Sequence, residues 1–225
     1  MQSQTIYRYG SVAGIIGAIS LFIGTFLHPA GAYPNDPIRA FTEYAEHHDW
    51  VAVHMIQLLG IALMVLSVIV LSKTIENGPS GIIAQVGNFG AAISLALATV
   101  LQAVDGVALK VMVDQWASAV GTEKDMLFYA TLGVRQIEIG TASMFSILMG
   151  CTVILYGVAQ KVNGHFSNGV VWLAYIGGLG TAIAGIVMAQ TGFSDAAMLI
   201  NMPANLLLLI WMVFTGIWMW KKSSS

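Results

Sequence analysis

Residues 51–72 read VAVHMIQLLGIALMVLSVIVLS. A helix of this length rises about 33 Å at roughly 1.5 Å per residue, enough to cross a hydrocarbon core of roughly 30 Å. The run is apolar all round. A strand of a membrane barrel would alternate with a period of two, and this run does not. Its most strongly polar positions, His54 and Gln57, sit close to its start.

Five further runs of the same kind flank it. The expected spans are Tyr9–His28, Val51–Ser72, Ile82–Val104, Leu132–Ala159, Val170–Gln190 and Pro203–Trp220. Proline and glycine punctuate them: Pro29, Asn77-Gly78-Pro79, Asp105-Gly106, Asn163-Gly164 and Gly192. The first run, with Arg8 before it and Ala30-Gly31-Ala32 after it, also matches a secretory signal; we read it as a span. Composition agrees with a membrane protein: 57% of the 225 residues are hydrophobic, 9% are charged, and mean hydropathy is +0.78. A net charge of −2 without a basic run points away from nucleic acid. The single cysteine, Cys151, cannot form an internal disulfide. The expected fold is all-α: a polytopic membrane bundle of six transmembrane helices, forming one integral membrane domain over residues 1–225.

Six spans bring both termini to one side, together with Arg8, Lys73, Lys161, Lys221 and Lys222. The other side holds Arg39, Lys110, Lys124 and Arg135 in longer loops, so positive density is higher on the side of the termini. The positive-inside rule then places both termini in the cytoplasm. Short interfacial helices are expected on the outer side. One opens at Asp36-Pro37, with Ile38, Phe41, Tyr44 and Ala45 on a single face. The other lies in 105–120, where Leu109, Met112, Val113 and Trp116 oppose Lys110, Asp114 and Ser118. Small residues four apart, at Gly10 and Gly14 and at Gly177, Thr181 and Gly185, suit close helix contacts in lipid. A short repeat, His54-Met55-Ile56-Gln57 against Arg135-Gln136-Ile137-Glu138, fits a duplicated hairpin.

Titratable groups are unevenly placed. Ten of the eleven acids and four of the five histidines fall on the outer side, in or beside 28–54, 105–138 and 191–201; Glu76 is the exception among the acids. Counting along the spans puts His28, His54, Gln57, Asp105, Arg135 and Glu138 at one level near the outer boundary. Such groups in lipid should face the bundle or water and pair with one another.

Four readings of this constellation compete. In the first, His28, His54, Asp105 and Glu138 ligate a divalent metal, zinc or iron, whose bound water becomes a nucleophile. Asp105 and Glu138 are then also the catalytic carboxylates, Arg135 and Lys110 hold an anionic group, and Gln57 orients a water or ligand. In the second, His28 and His54 are axial ligands of haem b in a redox protein. In the third, Arg135 and Lys110 bind an anionic ligand in a metal-free cleft. In the fourth, Arg135 pairs with Glu138 or Asp105 and the site is structural, as in an accessory or scaffold subunit. The inner halves of the spans carry no ionisable station, which argues against an ion pathway and leaves only uncharged cargo for a transporter. The leading expectation is an outward-facing polar pocket that binds a metal or a small, amphiphilic ligand, with metal-assisted hydrolysis at the outer leaflet. The expected partners are the lipid bilayer, that ligand and a second copy of the chain.

The stretches Leu27-His28-Pro29-Ala30-Gly31, Val51-Ala52-Val53-His54, Ala103-Val104-Asp105-Gly106-Val107-Ala108-Leu109-Lys110 and Arg135-Gln136-Ile137-Glu138 together resemble a group of uncharacterised bacterial six-span membrane proteins. The resemblance covers most of the chain. It implies a bacterial six-span fold in the cytoplasmic membrane and carries no activity with it.

Overall fold

The computed structural model describes residues 2–75 and 78–224, with side chains from residue 4 onward. Glu76 lies outside the described residues. The elements are α1 (Gln2–Leu27), α2 (Pro37–Glu46), α3 (Trp50–Lys73), α4 (Gly78–Ala103), a π-helical turn (Val104–Leu109), α5 (Lys110–Ser118), α6 (Gly121–Asn163), α7 (Asn168–Thr191) and α8 (Asp195–Lys222). Among the described residues there is no strand. Among the described residues, six stretches are long and apolar enough to cross a membrane: α1, α3, α4 through α5, α6, α7 and α8.

Local chemistry explains where these helices begin and end. Pro29 offers no N–H to extend α1. Asp36 caps α2, its Oδ1 accepting from Arg39 N at 3.2 Å, with Pro37 at the first helical position. Ser167 and Ser194 cap α7 and α8 in the same way. α6 closes on Gly164, whose φ of 77° is the left-handed conformation that favours glycine. Asp49 stands at the N-cap of α3, but its side chain makes no capping bond.

The long helices close into a ring in the order α1, α3, α4, α6, α7, α8, with α8 returning to α1. Glycine sets the tightest seams. A Cβ on Gly17 would lie 2.8 Å from the Gly60 carbonyl oxygen, and one on Gly150 would lie closer still to the Gly178 carbonyl. Association in lipid depends on this kind of dispersion contact, because burying apolar surface is no gain in a solvent that is itself apolar.

Several expected boundaries move; the sixth span, expected from Pro203, already begins at Asp195 and carries Pro203 inside the helix. The fourth span was expected over Leu132–Ala159, yet α6 runs 43 residues. At roughly 1.5 Å per residue that is about 65 Å, about twice a hydrocarbon core. Hydropathy marks only the apolar part of such a rod, and the polar turns of 121–131 extend it without a break. Likewise 105–118 does not form a separate surface helix. It continues α4 without a break through the π turn, because Asp105-Gly106 fits inside a widened turn and no proline interrupts it. α2 is present, and its inner face meets protein: Ala40, Phe41 and Tyr44 are buried against Trp50, Leu109, Val113 and Trp116, while Ile38 stays exposed. Phe41 lies 5.9 Å from both Trp116 and Phe128, edge to face. This aromatic cluster caps one end of the ring.

Candidate metal centre

Three side chains from three elements meet beneath that cap. His28 follows the last turn of α1, His54 sits one turn into α3, and Asp105 lies in the π turn. One ligand-capable atom from each lies within 4.8 Å of the others. His54 Nε2 is 3.0 Å from Asp105 Oδ2. His54 is fully buried, the Asp105 side chain is 15% exposed, and His28 is half-buried. The sequence permits the contact through Gly106. A Cβ there would fall 2.6 Å from His54 Cβ.

Hydrogen bonds decide the tautomers. His54 Nδ1 is 2.7 Å from the Trp50 carbonyl and His28 Nδ1 is 2.9 Å from the Pro29 carbonyl. A carbonyl only accepts, so each Nδ1 carries a proton, and a ring in its neutral form keeps its lone pair on Nε2. His54 Nε2 then faces a carboxylate oxygen with no hydrogen of its own between them. A proton or a cation must occupy that contact. Asp105 Oδ1 is buried with no hydrogen-bond partner. Imidazoles that donate one N–H to a carbonyl and present the other nitrogen are the usual form of metal-ligating histidine.

Trp50 organises the site. Its Nε1 donates to the Asp105 main-chain oxygen at 2.9 Å. Its ring packs against His28, His54 and Tyr44 at centroid distances of 4.9, 4.6 and 4.4 Å. Burial holds the His28 imidazole below its ordinary value, with the nearby Asp105 charge opposing, which favours the neutral ligand form. Burial pushes the Tyr44 phenol up to about 12, so it stays protonated.

Of the four expected metal ligands, the structure groups His28, His54 and Asp105. Glu138 is engaged elsewhere: both its oxygens accept from the Arg135 guanidinium at 2.6 Å, and Glu138 is 2% exposed. Three-residue spacing on one helix satisfies this pair locally before Glu138 can reach another element. Arg135 also donates to the Pro34 carbonyl at 3.4 Å and lies over the rings of Tyr44 and Phe193, at 5.4 and 4.8 Å. It clamps the loop that follows His28. Lys110 is occupied too, donating to the Tyr44 and Ala45 carbonyls and to Asp114 Oδ1 at 3.1, 2.9 and 2.8 Å. Its charge terminates α2, where the helix dipole is negative. Gln57 Oε1 accepts from Gln102 Nε2 at 3.2 Å, one turn deeper than His54.

Asn201 and Asn205 bond to each other along α8 at 3.1 Å, and Asn205 accepts from Thr181 at 3.4 Å. They belong to the helix seam. Sequence reasoning missed two members of the site, Trp50 and Gln102. Trp50 stands just ahead of an apolar run, as tryptophans at a membrane boundary do, although its place four positions before His54 on a helix does bring its carbonyl to the imidazole. Gln102 reads as one polar residue in an apolar run.

No family model, curated protein or solved structure matches this chain. Its chemistry rests on its own geometry.

Proposed function

We propose that this chain is an integral membrane protein that binds one divalent transition metal through His28, His54 and Asp105. The observation that carries the reading is the pair of imidazoles whose Nδ1 atoms face carbonyls while Asp105 Oδ2 sits 3.0 Å from His54 Nε2. Two imidazoles and one carboxylate suit zinc or non-haem iron, and three protein ligands leave a position for water, as catalytic sites do. A porphyrin fits these contacts poorly. The two imidazole centroids are 5.2 Å apart edge to face, and Trp50 packs on both, leaving no slot for a macrocycle.

The reaction class that suits such a centre at the end of a membrane bundle is hydrolysis of an amphiphile. Water adds its hydroxyl to an acyl or phosphoryl centre and its proton goes to the leaving group. The opposite end of the ring holds Arg8, Lys161 and Lys222, bonded to Ser223, Asn168 and Thr74. The positive-inside rule puts that end in the cytoplasm and the metal site on the outer face. One proton in place of the metal would also satisfy the His54–Asp105 contact and make the cluster a structural ion pair.

Elemental analysis and an optical spectrum of the protein purified in detergent test this. About one metal per chain is expected, lost in His54→Ala and Asp105→Asn, with no Soret band. A wild-type protein that stays metal-free after incubation with zinc and ferrous iron overturns the proposal in favour of the ion pair.

A further inference from the structure

Gln102 precedes Asp105 by three residues and is 5% exposed. One half of its amide donates to Gln57. Its Oε1 is buried without a hydrogen-bond partner, as is Asp105 Oδ1. Gln102 and Asp105 face the same helix, because their partners Gln57 and His54 are three residues apart on α3 and share a face there. The α3 and α4 helices thus carry two polar layers: His54 against Asp105, and one turn deeper Gln57 against Gln102. A buried acceptor left unsatisfied bears its desolvation penalty with nothing to offset it. Two such acceptors on neighbouring layers of one helix seam call for one donor with two hydrogens, which is what water offers.

We propose that Gln102 is a positioning residue: it and Asp105 Oδ1 each accept one hydrogen of a water whose lone pair faces the metal. The inference rests on the metal reading above. Gln57 acts as the pedestal, turning the Gln102 amide so that its oxygen faces up toward Asp105. Hydrogen-bonded partners behind a metal site typically change affinity about 10- to 100-fold when removed.

Cobalt(II) titration of the full chain in detergent, followed by visible absorption, tests it with Gln102→Met, which keeps the volume and removes the amide. The control is Gln160→Met. Gln160 is equally buried but lies among Trp211 and Thr215, away from the site. Cobalt binding about 10- to 100-fold weaker with a displaced ligand-field band in Gln102→Met, and neither change in Gln160→Met, is the expected result. An unchanged band and affinity in Gln102→Met overturns this inference and leaves the metal site standing. The same changes in Gln160→Met also overturn it, because they would reflect general loosening. A wild-type chain that binds no cobalt overturns the metal site and this inference together. Should Gln102→Met not fold, Gln102→Asn, which withdraws the amide by one methylene, carries the same comparison.

Discussion

Gly106 lies directly against His54: a Cβ at position 106 would sit 2.6 Å from His54 Cβ and 3.0 Å from Cγ. Neither group can yield easily, since the ring is held by the Trp50 carbonyl and the glycine by the π turn. Gly106→Ala should displace the imidazole, cost about 1–3 kcal/mol through overpacking, and weaken metal binding about 10-fold or more. Thermal melting and metal titration in detergent measure both. Wild-type affinity in this variant would show that the close approach does not position the ligand.

The Arg135–Glu138 pair is buried on both sides, so removing one partner strands the other. Glu138→Leu or Arg135→Met alone should each cost about 3–5 kcal/mol, and the double variant should be less damaging than the sum. Melting temperatures of the three variants decide this. Additive losses would mean that the two side chains act independently.

Lys110 supports α2 and does not point to a bound anion. Lys110→Met should leave metal stoichiometry unchanged and loosen α2 by at most about 2 kcal/mol, the upper range for a charge at a helix C-terminus. Hydrogen exchange over Pro37–Glu46 is the direct measure. Lost metal binding with α2 intact would contradict this assignment.

Trp50 is the indole nearest the proposed metal, with its ring 4.6 Å from the His54 ring. Cobalt binding should quench tryptophan emission, and Trp50→Phe should remove most of that quenching. The same substitution deletes the bond to the Asp105 carbonyl and should lower stability by about 1 kcal/mol. Equal fractional quenching in the variant would place the metal near another indole.

Much of the architecture was legible in the chain. The six long helices follow from hydropathy, because a polypeptide in lipid must satisfy its backbone internally and needs about 20 apolar residues to do so. The convergence of His28, His54 and Asp105 at one depth also followed from counting residues. Counting gave height and no azimuth. Glu138 and Lys110 stand at the expected end of the bundle, yet each found a nearer partner, Arg135 three residues away and the end of α2.

The chain alone therefore determined an all-helical, six-span protein with most of its acids and histidines gathered at one end, since those properties depend on length, polarity and spacing along one axis. Tertiary structure decided which of those groups meet. That outcome turns on the π turn that aims Asp105, the missing Cβ at Gly106 that admits His54, and the carbonyls that select each imidazole tautomer. These are relations between helices, and they depend on rotation and separation, which no one-dimensional pattern records.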